Sequence, residues 1–310
     1  MIAVPRIPEV QNGQILSTNL VNHIIKRTEY AADLLGQYKL ITGDNTSLKQ
    51  QFEGTRVNAK LAEAKFRIVG FTTVGGITKG FVLSGETFTD IIYSGATQTR
   101  ALGIDGTNIV GVAFVGGISR GFLYNGSTFT NIIRPSVTNT TANGIDGLNI
   151  VGESGLAATS RGFLYNGSTF TDIMFPGSTN TQAFGVYGSN IVGSALVGGS
   201  RRGFLYDNTT YSTIIYPGAT NTQAFGIDNL KIVGLAEVGA INRGFLYDGS
   251  VFTDIIYPGA TSTIARGING SNIVGTASIG GITRGFLYNG STFIDIIYSG
   301  GTQTQPTGIG

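Results

Sequence analysis

The sequence predicts a mainly β protein. It reads as a six-bladed β-propeller of 41-residue, four-stranded repeats at 65–310, closed by the C-terminal strand, with a small N-terminal helical module at 1–64. Three observations predict this. Phe81, Phe122, Phe163, Phe204, Phe245 and Phe286 each follow a glycine and stand 41 residues apart. The Val-Gly pairs ending at Gly70, Gly111, Gly152, Gly193, Gly234 and Gly275 keep the same interval. An unbroken period of this length means one supersecondary unit copied in place, which stacks as a solenoid or closes as a ring. The third observation is that the two ends of the array complement each other, as set out below.

Residues 1–64 differ from the rest. Leu16, Leu20, Ile24, Ala31, Leu35 and Tyr38 share one helical stripe, widened by Val21, Ile25 and Ala32. Thr18 or Ser17 can cap its start through a side-chain oxygen, and Gly36 or Gly43 can end it. The spacing predicts a helix at about 18–38. No helix of similar length partners it, so its apolar face must pack on the propeller, on further copies of itself or on another protein. Residues 42–58 are polar and read as a connector, and 57–65 as a short second helix.

The repeat begins near Phe66. In the copy from Gln182 to Gly218, strand A is Ala183 to Val186 and strand B is Asn190 to Ala195. A Gly-rich loop leads to strand C at Gly203 to Tyr206, and strand D runs from Tyr211 to Tyr216. Other copies carry Asn125-Gly126, Asn166-Gly167, Asp248-Gly249 or Asn289-Gly290 between C and D. Such dipeptides suit a two-residue hairpin whose central residues both need positive φ. Four short antiparallel strands per repeat make a propeller blade.

Closure follows from the ends. Before Ile68 no strand A is recognisable, and helical-looking residues 60–64 take its place. After the last repeat, Thr307 to Gly310 aligns with strand A, as in Leu102 to Asp105. Pairing the last strand A with the first strand B completes the ring and removes two exposed sheet edges.

The pattern Ala-x-Gly-Ile-Asn/Asp, then Ile-Val-Gly, then Gly-Phe-Leu-Tyr-Asn-Gly resembles the bacterial extracellular repeats of the HAF type over 66–310. Arg-Gly-Phe stands where that family has His-Ala-Phe. The resemblance implies a propeller-like surface domain and no particular chemistry. The run Val4-Pro5-Arg6-Ile7-Pro8, with Arg27 to Leu35 and Gln37 to Leu40, is similar to the N-terminal modules of phage virion proteins over about 1–56. That likeness implies a tail-fibre-like virion protein that self-associates through its helix, as a trimer, or docks on another virion protein.

A meander places the A–B and C–D turns on one face, the bottom, and the B–C loops and D-to-A links on the other, the top. The top loops vary more between copies. The first strand B starts at the bottom, so the N-terminal module is expected there, with the top face pointing outward to a host-surface glycan.

Each Gly-Phe is preceded by a cation: Lys79, Arg120, Arg161, Arg202, Arg243 or Arg284. They form either a ring for an anionic ligand or cross-strand charge pairs. With the Asn-Gly turn centred, Arg161 falls opposite Asp172, Lys79 opposite Asp90, Arg243 opposite Asp254 and Arg284 opposite Asp295. Arg120 meets Asn131 and Arg202 meets Thr213, so these two are the ligand candidates. Tyr93, Arg134, Phe175, Tyr216, Tyr257 and Tyr298 lie near the top of strand D, as a sugar-stacking rim or as packing between blades.

Composition limits the function further. A net charge of +2 with 12% charged residues gives no basis for nucleic-acid binding. The chain has no cysteine, which excludes disulfides and thiolate metal sites. Residues 1–13 do not read as a secretory signal, and no apolar run reaches the ~20 residues of a membrane span. No cofactor and no catalytic residue is assigned, since the one histidine, His23, lies on the predicted helix, away from the repeats. The likeness of the N-terminal run to virion modules implies a virion location, or otherwise an extracellular one. Two further readings stand beside glycan binding: a purely architectural virion component, and a secreted polysaccharide hydrolase or lyase.

Overall fold

The computed structural model describes residues 66–155 and 159–310. The chain divides into two units, Met1–Glu63 and Ala64–Gly310, and all that is described lies in the second. The predicted helix, its stripe from Leu16 to Tyr38, and His23 lie outside the described residues.

Among the described residues the regular elements are strands, 24 of them. One repeat consists of β4 (Gln98–Asp105), β5 (Asn108–Val115), β6 (Ile118–Tyr124) and β7 (Phe129–Ile132). These pair antiparallel in chain order. The same meander recurs in β8 to β11 (140–173), β12 to β15 (180–214), β16 to β19 (221–255) and β20 to β23 (262–296). The first repeat has only β1 (Arg67–Val74), β2 (Ile77–Ser84) and β3 (Thr87–Ile91). Its inner strand is β24 (Thr304–Ile309), paired antiparallel to β1 with Ile68↔Ile309 and Thr72↔Thr304. Gly310 and Arg67 exchange backbone hydrogen bonds of 2.7 and 3.0 Å beyond the last pair.

The repeated Gly and Phe are one device. Gly111 of β5 lies directly across from Phe122 of β6. A Cβ on Gly111 would sit 2.0 Å from the Arg100 carbonyl oxygen and 2.7 Å from Phe122 Cζ. The phenyl ring fills the space that a side chain would take, and the phenylalanine is fully buried. Each core cluster spans two neighbouring repeats. Val192 and Ile214 of one pack with Ala224, Ile227, Ile232, Ala236 and Phe245 of the next. One face of each sheet is thereby buried on its neighbour, which supplies the hydrophobic drive a lone meander lacks.

The structure departs from the sequence expectation in three places. The first is the number of sheets. Six equal sheets were expected, but four meanders stand as separate four-stranded sheets and the other eight strands form one sheet. The join is a single parallel pair between β2 and β4, Thr78↔Gln98. In later repeats a side chain takes the equivalent amide: Ser119 N donates to Asn139 Oδ1 at 3.0 Å and Arg201 N to Asn221 Oδ1 at 2.7 Å. Gln98 holds that position in β4, its Oε1 accepts from Arg100 at 3.1 Å, and the backbones pair instead.

The second departure is in the B–C connections, expected as variable loops. Gly116 and Gly117, with φ of 61° and 80°, form a two-residue turn between the paired Val115 and Ile118. Similar tight turns recur at Gly75-Gly76, Gly198-Gly199, Gly239-Ala240 and Gly280-Gly281. At the equivalent place after Ser154, Gly155 has a φ of 108°, and residues 156–158 lie outside the described residues.

The third is the C–D hairpin, where pairing slips by two residues. Asp172 faces Phe163, not Arg161. Asn166 Oδ1 accepts from the Ser168 and Thr169 amides at 3.1 and 2.9 Å. That side-chain cap stabilises a four-residue loop over the two-residue turn, leaving only Gly167 at positive φ, 93°.

Candidate ligand-binding face

The rim residues are built into the seams between repeats. The Tyr216 hydroxyl donates to Asp254 Oδ1 at 2.5 Å, Tyr257 to Asp295 at 2.6 Å, and Tyr298 to Asp90 at 2.6 Å. Tyr93 donates to Asn131 Oδ1 at 2.7 Å. Each ring also stands edge-on to a phenylalanine of the following repeat, as Tyr257 does to Phe293 at 5.2 Å. Arg134 holds Asp172 in an ion pair, and Phe175 packs on Phe204 and Tyr211. Of the two readings for this rim, the contacts match packing between repeats. All five polar members are half-buried.

Burial first, and then the hydrogen bond to Asp295, push the Tyr257 hydroxyl up to about 12. A raised folded-state pKa contributes stability that is complete below the ordinary tyrosine pKa of about 10 and is lost as pH rises through about 12. Tyr257→Phe is therefore expected to destabilise the fold by about 1 kcal/mol at pH 8. The gap to wild type should close between pH 10 and 12. Denaturant melts at pH 8 and pH 12 check this, and equal stabilities at pH 8 contradict it.

Despite the slipped register, four cations of strand C reach their carboxylates diagonally. Lys79–Asp90 is 2.7 Å, Arg243–Asp254 3.3 Å, and Arg161–Asp172 and Arg284–Asp295 are each 3.5 Å. Arg120 and Arg202 make no ion pair among the described residues, because Asn131 and Thr213 occupy the matching positions. Arg120 is half-buried, whereas Arg202 is exposed. Arg202 lines a cavity of about 170 Å³ with Ser200, Arg201, Ile215, Ala219, Thr220 and Thr222. This cavity lies on the top face, between strand C of one repeat and the link into the next.

Beside it runs a polar chain that the sequence reading missed. Gln182 Nε2 donates to Glu153, and Arg201 Nη1 donates to Gln182 Oε1 at 2.8 Å. Asn221 accepts from the Arg201 amide and donates to Glu237 Oε2 at 2.6 Å. Glu153 and Glu237, which break the repeat without evident partners in sequence, are thus linked through Arg201. Their signal was available as carboxylates on the second strand of a meander, where the equivalent positions of the other copies, Phe71, Val112, Ser194, Leu235 and Thr276 for Glu153, carry no charge. The top face also presents exposed isoleucines, with Ile77, Ile118, Ile241 and Ile282 at the B–C turns and Ile92, Ile133, Ile215, Ile256 and Ile297 after strand D.

At the axis, six inner strands meet. A Cβ on Gly144 would lie 2.5 Å from Phe184 O and 3.1 Å from Gly185 Cα. The same approach runs on through Gly226 and Gly267 to Gly308, which meets Gly103. The channel there is lined by Leu102, Asn143, Phe184, Phe225, Arg266 and Thr307, one from each inner strand.

No family model matches the chain, and no curated protein matches it. The HAF-type and virion-module resemblances therefore have no matching family model behind them. Solved structures are similar in fold. The β-propeller domain of the Trilobed protease from Pyrococcus furiosus aligns with a TM-score of 0.51 at 12% identity, covering 75% of this chain and 81% of that one. A nidogen/laminin complex aligns with a TM-score of 0.56 at 12% identity, covering 78% and 97%. Aleuria aurantia lectin in complex with α-methyl-L-fucoside aligns at 0.48 and 13% identity, covering 78% and 95%. The first two show that the described part is a β-propeller, and at such identities they show the fold alone.

Proposed function

We propose that the chain is a non-enzymatic surface-binding protein whose top face binds a host-surface glycan. In this reading the eight-stranded sheet counts as two blades joined at one parallel pair, giving a six-bladed ring. Residues 1–64 hold the ring, self-associated or docked, on a virion as a tail-fibre-like component. The virion part rests on the resemblance of residues 1–56 alone.

The observation that carries the binding part is Arg202. It is an exposed arginine without a counter-charge among the described residues, at the mouth of a polar cavity beside Thr220 and Ser200. A guanidinium offers a planar fork of donors suited to carboxylate or vicinal hydroxyl oxygens. Single contacts of this kind are weak, and several copies on one particle strengthen adhesion by ~10²–10⁴. The Arg120→Ala, Arg202→Ala double variant is expected to lose about tenfold or more of its affinity for immobilised acidic glycans, as loss of a charge-assisted hydrogen bond implies. Bottom-face controls at Ser168 and Ser291 should bind normally. Equal binding by the double variant removes Arg120 and Arg202 from the reading. Failure of the wild-type protein to bind any glycan on an array removes the reading itself.

The exposed isoleucines favour one second reading, a purely architectural component. Apolar side chains gathered on one face suit a protein partner. Under that reading, Ile77, Ile118, Ile241 and Ile282 changed to Thr abolish incorporation into the particle, and no glycan binds.

A further inference from the structure

We propose that the axial channel is an anion-binding site in which Arg266 holds one small anion, a halide or an oxyanion. Arg266 shares its ring position with Leu102, Asn143, Phe184, Phe225 and Thr307, so the ring carries one positive charge and no negative one. Among the described residues its guanidinium makes no ion pair or hydrogen bond, and its Nε is buried without a partner. Its one marked contact is with the Phe225 ring, 5.5 Å from the guanidinium carbon. Phe225 in turn packs against Phe184 at 5.0 Å.

The neighbouring polar groups face the wall instead. Asn143 Nδ2 donates to Ala183 O at 2.9 Å, and Thr307 Oγ1 donates to Ala101 O at 2.9 Å. Burial pushes the Arg266 pKa down to about 10, so the group remains charged at neutral pH. Arg266 as a residue is half-buried, but its Nε is wholly enclosed, and an orphaned buried donor on an unpaired charge calls for a bound water or ion. The channel volume of about 80 Å³ holds several waters or one small anion. Arg100 is a useful contrast. Its Nε is likewise buried without a partner, but its head bonds Gln98 and lies over Phe71 and Phe114, at 5.1 and 5.3 Å.

The test uses the full chain. Thermal unfolding is followed at constant ionic strength while sodium gluconate is replaced stepwise by sodium bromide or by sodium phosphate. Relative to R266Q, the wild-type midpoint should rise by several degrees and saturate with at least one of the two. Bromide alone identifies a halide site and phosphate alone an oxyanion site. In gluconate, R266Q should melt above wild type, because it lacks the unpaired charge. Wild-type crystals grown in bromide or phosphate should show the anion beside Arg266, a result independent of whether R266Q folds. Parallel responses of the two proteins to both salts, or crystals with no anion in the channel, overturn the proposal. Glycan binding at the top face should be unchanged in R266Q, which keeps this site separate from the surface reading.

Discussion

Removing residues 307–310 is expected to lower the unfolding free energy by about 5 kcal/mol, enough to leave much of the chain unfolded or aggregated. The deletion takes away the Ile68↔Ile309 and Val69↔Gly308 pairs and the two bonds between Gly310 and Arg67. It also removes buried Ile309 and the Thr307 hydroxyl bond to Ala101 O. Each lost backbone bond is worth about 1 kcal/mol and the isoleucine about 1.5–3 kcal/mol. The change consumes a large fraction of the ~5–15 kcal/mol that keeps a domain folded. It further bares the edge of β1, a template for intermolecular pairing. Thermal melting and gel filtration read both effects. A truncated chain that melts and elutes like the full one means that β24 does not close the ring.

Gly193→Ala should be nearly as damaging, by about 3 kcal/mol, although it adds a single methyl group. The new Cβ would meet Gln182 O at 2.0 Å and Phe204 Cζ at 2.6 Å. The carbonyl is main chain and cannot turn aside, and Phe204 is fully buried. The bulge between Ala183 and Gly185 on the inner strand lies opposite this point, so the strain falls on the wall of the channel. Ser189→Ala on an exposed turn is the control and should melt within 1 °C or so of wild type, as expected for a ~0 to 0.5 kcal/mol surface change. A Gly193→Ala midpoint equal to the control would show that the inner strand can retreat.

The repeat, its closure and its Gly-Phe device were legible because they depend on spacing. A fixed interval of 41 residues carries the meander from copy to copy, and the unmatched strand at each end implies the join. What could not be read depends on single side chains. Nothing in the spacing says that Gln98 fails to take the amide that Asn139 and Asn221 take, so the fusion of two meanders was invisible. The Asn166 cap shifted the C–D register because a side chain competed with the backbone for turn amides. Partners that cross a seam were hidden as well: Tyr216 and Asp254 are 38 residues apart, an offset that no single repeat displays. Arg266 escaped notice because its ring position holds Leu, Asn, Phe, Phe and Thr in the other copies, with no chemical rhythm. The unmatched cations were the opposite case. The replacement of Asp by Asn131 and Thr213 was written in the repeat itself, and Arg120 and Arg202 have no ion-pair partner among the described residues.

The most direct test of the binding account is a density map of the full chain with the tightest-binding acidic oligosaccharide found on an array. The account predicts sugar density on the top face against the Arg202 guanidinium, within the cavity bordered by Ser200 and Thr220. Sugar seated instead on the bottom turns, beside Ser168 or Ser291, would contradict it.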